Sequence, residues 1–296
     1  MHAPANAHCS NCDTPLVGEY CHGCGQSSHN PVRSFGHAVE EVFESFWHLD
    51  GKIFRTLRQL LHPGVLAIDY LAGRRARYVP PMRLFVVLCA LAFFVGTFTL
   101  KIQAGAADAQ VQAEVHEALA EGGARLPPEA ARAVGPELER IVEHQVEGAA
   151  ARLAGPGATE RLRSGFMRSL SKLMLVLAPA FALLLKLVYR NRRRLYLEHL
   201  VVALYSHAFI CLVLLVQFCL QPLRELAADS LFATPLETLA LLLWAWVPVY
   251  LLWMQQRVYG GAWWATLGRY LVLGGAHLAL VVCGTLAMLL LSAAQL

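Results

Sequence analysis

Five stretches of this chain are apolar over a length that suits a helix crossing a hydrocarbon layer, which takes about 20 residues for about 30 Å. They are Arg83–Leu100, Leu170–Tyr189, His199–Gln221, Leu236–Gln255 and Arg269–Ser292. A bilayer offers backbone groups no water, so such runs are read as helices, whose hydrogen bonds are internal. The expected fold is an all-α polytopic membrane protein with five transmembrane helices. Pro179 and Pro248 fall inside the second and fourth runs, where neighbouring helices tolerate them. Hydrophobic residues make up 56% of the chain and charged residues 16%, against about 25% charged in soluble domains. That balance excludes a soluble globular enzyme and a disordered chain. No apolar run lies at the N-terminus, so no cleavable secretory signal is expected.

The basic residues set an expected orientation, because short cytoplasmic segments are enriched in Lys and Arg. Lys52, Arg55, Arg58, Arg74, Arg75, Arg77 and Arg83 precede or open the first run. Arg190, Arg192, Arg193 and Arg194 separate the second from the third, and Arg257 and Arg269 bracket the link from the fourth to the fifth. The link after the third run sets Arg224 against Glu225 and Asp229. All the basic segments fall on one side if the N-terminus is cytoplasmic and the C-terminus extracytoplasmic. Residues 101–169 then form a long extracytoplasmic loop, expected to be helical over Asp108–Glu121 and Pro136–Leu153, with a break at Pro127-Pro128-Glu129.

Half of the eight cysteines lie near the N-terminus. Cys9, Cys12, Cys21 and Cys24 form two C-x-x-C pairs, and a two-residue gap lets both sulfurs of a pair face one ion. Gly23 and Gly25 permit the tight backbone of such a knuckle. The expectation for residues 1–30 is a cytoplasmic zinc ribbon with structural zinc as cofactor, since four protein ligands leave no open position for catalysis. A pair of disulfides would need an oxidising compartment, and a redox C-x-x-C a larger surrounding domain. His8 and His22 are possible substitute ligands. So small a segment would draw most of its folding energy from the metal, about 10–16 kcal/mol in finger peptides. Cys89, Cys211, Cys219 and Cys283 lie scattered in apolar runs and receive no role, isolated thiols behaving as small hydrophobes.

Residues 31–82 read as amphipathic cytoplasmic or interfacial helices. Ser34 can cap a helix with Phe35, Val39, Val42, Phe43 and Phe46 on one face. His62-Pro63-Gly64 breaks the chain, and a short stretch Val65–Leu71 ends at Gly73. These helices can lie in the headgroup layer or dock on the protein's own helix ends.

The motifs Y-C-x-x-C-G-Q (Tyr20 to Gln26), F-W-H-L-D-G-K (Phe46 to Lys52) and H-P-G…Y-L-A-G-R-R-A-R-Y-V-P-P (His62 to Pro81) follow one another in the chain. With Y-L-E-H-L-V-V-A-L-Y-S-H-A-F (Tyr196 to Phe209) and Val258-Tyr259-Gly260, they resemble a bacterial family of membrane proteins of unknown function. Tyr205 stands where that family's pattern has a histidine. The resemblance implies an inner-membrane protein with a zinc-ribbon head and brings no activity with it.

Polar groups at membrane depth are costly and often functional. Lys186 lies close enough to a span end to snorkel outward. Glu198 and His199 sit beside the arginine cluster, where salt bridges to Arg190–Arg194 are expected. His207 and His277 lie at similar depth on two spans, and His199 and Ser206 share a helix face. Interhelical hydrogen bonding is one reading of this stripe; a proton or ion path, a substrate pocket and bis-histidine haem ligation are the others. No nucleophile–base pair, phosphate loop or H-E-x-x-H is present, which argues against an enzyme. The five spans show no inverted repeat of the transporter kind. The preferred reading is a structural or regulatory membrane protein in the bilayer, its head docking a cytosolic or membrane protein partner. The ribbon's lack of Lys and Arg over residues 9–26 argues against nucleic acid.

Overall fold

The computed structural model of the protein describes residues 8–28, 51–99, 158–192, 194–228 and 230–294. The Phe35–Phe46 amphipathic face, the helices expected at Asp108–Glu121 and Pro136–Leu153, and Arg193 lie outside the described residues. Among the described residues the regular secondary structure is helical apart from two isolated bridges near the N-terminus, His8 with Pro15 and Tyr20 with Ser27. The helices are α1 (Lys52–Leu60), α2 (Val65–Leu71), α3 (Pro81–Thr99), α4 (Ala158–Val188), α5 (Tyr196–Leu226), α6 (Ala233–Tyr259) and α7 (Trp263–Ala294). Five of them, α3 to α7, contain segments long and apolar enough to cross a membrane. The protein is therefore a polytopic all-α membrane protein. Helices α5 to α7 run past the apolar stretches at both ends, because the flanking polar turns satisfy their backbone groups in the same helical ladder.

The chain divides into two units. The first comprises Met1–Ala92 and Met174–Ala279. At its centre lies α5, 67% of whose apolar window is buried, against 11% for α6. Apolar residues all round a helix are what a central position requires. Phe209 of α5 stacks on Tyr250 of α6 with ring centroids 3.5 Å apart, and both are buried. The outer faces carry Leu241, Leu242, Trp244, Leu271 and Val272, all exposed, as side chains solvated by acyl chains would be. The second unit comprises Phe93–Leu173 and Leu280–Leu296. There Leu173 packs onto Gly284 so closely that a Cβ on the glycine would lie 2.6 Å from a leucine methyl.

Helices α1 and α2 are fastened to the first unit. Leu60, Leu66 and Ala67 are buried. The Tyr250 hydroxyl donates to Leu60 O at 2.6 Å, and Arg257 Nη1 donates to Pro63 O at 3.0 Å. Gly64 has φ +78°, and a Cβ there would touch Met254 and Arg257 at 3.4 Å. The turn at His62-Pro63-Gly64 thus lets the chain press backbone-first against α6. Thr56 Oγ1 donates to Lys52 O and accepts from Val79 N–H, tying α1 to the start of the first span. Phe54 and Leu61 remain exposed. The segment is docked on the protein's own helix ends and still presents apolar side chains outward.

Candidate functional site

The two C-x-x-C knuckles repeat one backbone design. Cys9 N–H donates to Thr14 O and Asp13 N–H to Cys9 O; Cys21 N–H donates to Gln26 O and Gly25 N–H to Cys21 O. The design needs a left-handed residue just after the second cysteine. Asp13 takes φ +60° in the first knuckle and Gly25 φ +72° in the second; Asp and Gly are among the residues that reach this region most readily. Gly23 is required for a different reason, since a Cβ would lie 2.8 Å from Thr14 Oγ1.

This backbone gathers all four sulfurs within 4.8 Å of one another. The close approaches join one knuckle to the other: Cys9 to Cys24 at 3.7 Å and Cys12 to Cys21 at 3.5 Å. A disulfide would bring two sulfurs to about 2.05 Å, and all four cysteines are free. Four thiolates on a tetrahedral ion with bonds of about 2.3 Å stand about 3.8 Å apart. The cluster is able to hold a metal ion. Asn11 N–H points at Cys9 Sγ, 3.5 Å away. The Thr14 hydroxyl beside Cys12 holds that thiol down to about 6, whereas burial pushes Cys24 up to about 11. His8 turns its Nδ1 to Asp13 O at 2.9 Å and His22 is exposed, so neither joins the four sulfurs.

The cluster is seated on the segment that leads into the first span. Gln26 Nε2 donates to Gly73 O at 2.7 Å, and Gln26 Oε1 accepts from Arg75 N–H and Ala76 N–H, each at 3.0 Å. Gly73 has φ +89°, and a Cβ there would lie 2.8 Å from Ser10 Cβ. Arg74 pairs with Asp69 at 2.8 Å, and Tyr78 donates to the same carboxylate at 3.0 Å. Burial, and then that hydrogen bond, push the Tyr78 phenol up. The Arg75 guanidinium lies 5.0 Å from the Tyr70 ring centre, and Arg77 is exposed.

The basic links converge at one end of the first unit. Arg192 Nη2 donates to Gly260 O and Arg194 Nη2 to Val258 O. Arg190 and Lys186 are exposed. Among the described residues, Glu198 does not form the salt bridges expected with Arg190, Arg192 and Arg194. Its Oε2 accepts Leu195 N–H at 3.1 Å, and among the described residues no ion pair joins it to those arginines. An N-terminal backbone amide is the nearer partner, and capping it satisfies an orphan of the first turn.

The stripe of polar residues in α5 is not continuous. His199 is buried and its Nδ1 lies 2.8 Å from the Tyr259 hydroxyl. Tyr259 stacks on Tyr189 at 3.9 Å, and Tyr189 donates to Gln255 Oε1 at 3.2 Å. Ser206 donates to Val202 O in its own helix and lies 3.5 Å from Met254 Sδ. His207 likewise donates from Nδ1 to Ala203 O at 2.8 Å. The Ser206 hydroxyl thus reaches α6 only through a long contact with a thioether, and the interhelical hydrogen bond expected of His207 is replaced by one within α5. His207 and His277 do meet, edge to face with ring centres 5.3 Å apart, between Phe181 and, on the His207 side, Phe85. Rings in direct edge contact leave no slab for a porphyrin between them, so the pair does not fit bis-histidine haem ligation. His207 Nε2, His277 Nδ1 and the Tyr205 hydroxyl have no hydrogen-bond partner among the described residues.

Sequence reasoning quoted Gln26 and Tyr259 within motifs without giving them a role, and missed Tyr189, Tyr250, Gln255 and a thiol contact. Cys89 and Cys211, both buried, face one another across α3 and α5. Cys89 lies four residues beyond Phe85 and Cys211 four beyond His207, so the ring contact between Phe85 and His207 is the signal that brings the thiols together.

Comparison with curated proteins and with solved structures finds no match. Residues 50–93, which hold α1, α2, the Gly73–Ala76 seat and most of the apolar start of α3, match a family described as a protein of unknown function, DUF3667.

Proposed function

We propose that the chain is a structural or regulatory protein of a bacterial inner membrane whose N-terminal zinc ribbon docks a cytosolic protein partner. Zinc is the ion that the four-sulfur geometry suits best, since it takes four thiolates in a closed tetrahedron. The observation that carries the reading is the seat. One side of the ribbon is held on backbone atoms of residues 73–76 through Gln26, while Val17 and Tyr20 stand 88% and 68% exposed. An aromatic and a β-branched side chain presented on a metal-held turn make a contact surface of low ordering cost.

The meeting of the three arginine-bearing segments at one end supports a single side for them, and the charge rule makes that side the cytoplasm. The ribbon, seated on one of those segments, shares it and meets reducing conditions. Reporter fusions at Asn30, Ala130, Arg192, Ala228, Ala262 and Leu296 then alternate inside and outside, starting inside; a cytoplasmic signal at Ala130 breaks this topology. The docking role is tested with a photo-crosslinking residue placed at Val17 or Tyr20 in cells. Discrete adducts to another protein are expected, and Cys21→Ser should abolish them while the spans stay inserted. Adducts unchanged by Cys21→Ser, or none from either position, refute the role.

A further inference from the structure

We infer that the basic end of the first unit holds a binding site for a phosphodiester anion, and that its occupant is the headgroup of an anionic glycerophospholipid. A cavity of about 550 Å³ opens between α2 and the facing ends of α5 and α6. That lies within the range of about 300–1,000 Å³ typical of small-ligand sites. Its wall carries Arg194, Arg257 and Glu198 beside the apolar Ile68, Leu71 and Val258.

The two arginines are held in place without being neutralised. Arg194 gives Nη2 to Val258 O, and its guanidinium lies 5.6 Å from the Tyr259 ring centre. Arg257 gives Nη1 to Pro63 O and lies 5.1 Å from the Trp253 ring centre. Among the described residues neither is ion-paired with a carboxylate. A guanidinium carries five N–H donors, so one carbonyl bond and one aromatic contact fix its direction and leave most of its donors free. Pre-organised guanidiniums are suited to bidentate contact with phosphate oxygens.

The lining also selects among phosphates. Two guanidiniums against one carboxylate leave one net positive charge, which complements a phosphodiester monoanion better than a phosphomonoester dianion. One oxygen of Glu198 is taken by Leu195 N–H; the other is placed to accept from a headgroup hydroxyl. Ile68 and Leu71 supply an apolar wall for the glycerol and the first acyl carbons. The cavity lies at the ends of membrane-crossing helices, at the level where headgroups sit, and basic pockets at that level recognise anionic lipids.

The test uses the purified full chain in detergent micelles, followed by native mass spectrometry during titration with phosphatidylglycerol, with phosphatidylcholine, or with inorganic phosphate. One phosphatidylglycerol is expected to bind in clear preference to phosphatidylcholine. Arg194→Gln and Arg257→Gln should each weaken it by about tenfold or more, the scale of a lost charge-assisted hydrogen bond. Arg224→Gln, outside this lining, controls for loss of charge alone and should leave binding unchanged. Displacement of the lipid by millimolar inorganic phosphate would support the anion site and assign it to a soluble phosphate. Equal binding of phosphatidylcholine, or retention of phosphatidylglycerol by both glutamine variants, overturns the proposal. The comparison of the two lipids needs no variant, so misfolding of either glutamine chain leaves the inference open to refutation.

Discussion

Replacing Gln26 by alanine isolates the seat of the cysteine cluster from the cluster itself. The side chain makes three hydrogen bonds, all to backbone groups between Gly73 and Ala76. At about 0.5–1.5 kcal/mol net for each, their loss costs roughly 2–4 kcal/mol of docking free energy. The first assay is hydrogen exchange of the full chain in micelles, read at the amides of Arg75 and Ala76. Gln26 Oε1 accepts from both, so Gln26→Ala should raise their exchange by a factor of roughly 30 to 700, the same energy expressed as an equilibrium constant. The second is metal affinity by competition with a chelator. If the ribbon must be metal-ordered to dock, docking and metal binding are coupled, and affinity falls by up to that factor. Unchanged exchange at both amides would refute the seat. Changed exchange with unchanged metal affinity would keep the seat and remove the coupling.

Gly73→Ala should unseat the ribbon as well, because it combines a left-handed backbone costing roughly 1–2 kcal/mol for a residue with a Cβ with a collision at Ser10; normal protection at Ala76 would contradict this. Tyr250→Phe leaves Leu60 O buried without its donor, an expected loss of about 1–3 kcal/mol, seen as earlier unfolding in denaturing detergent and faster exchange in α1; an unchanged midpoint would count against the strap between α1 and α6. His207→Leu should be tolerated to within about 1 kcal/mol, since its one hydrogen bond stays within α5 and interhelical polar contacts are weak in any case. Normal membrane abundance with loss of complementation would instead give the His207–His277 pair a chemical role.

The parts of the molecule that were legible in the sequence are those whose partners are close along the chain or whose pattern is periodic. Two cysteines separated by two residues announce a knuckle by themselves, and the spans announce themselves by length. Val65–Leu71 was bracketed correctly by Gly64 and Gly73, whose positive φ values mark the ends of α2. The seat was not legible, because Gln26 reads backbone atoms some 50 residues away and backbone carries no sequence signature. The strap from Tyr250 to Leu60 spans 190 residues. A tyrosine in an apolar run gives no sign of which carbonyl it will meet. Glu198 was misassigned to its arginine neighbours by proximity in sequence, where a helix start offered an amide that needed an acceptor. Depth alone paired His207 with His277, since spans that cross in the same direction bring equal depths together; the direction of their hydrogen bonds could not be read that way.

The contacts of Gln26 carry a consequence for how this chain can vary. The glutamine amide recognises the path of the main chain at residues 73–76, its three hydrogen bonds going to backbone atoms. A change of side chain at Arg74, Arg75 or Ala76 therefore leaves the partners of Gln26 in place, so long as Gly73 keeps its left-handed turn, the main chain holds its path without the contacts that Arg74 and Arg75 make to Asp69 and Tyr70, and the amides at 75 and 76 survive. Proline is the one substitution barred at those two places, because it removes the donor. Sequence drift here would alter what the segment shows to lipid or partner while the architecture beneath it stays fixed.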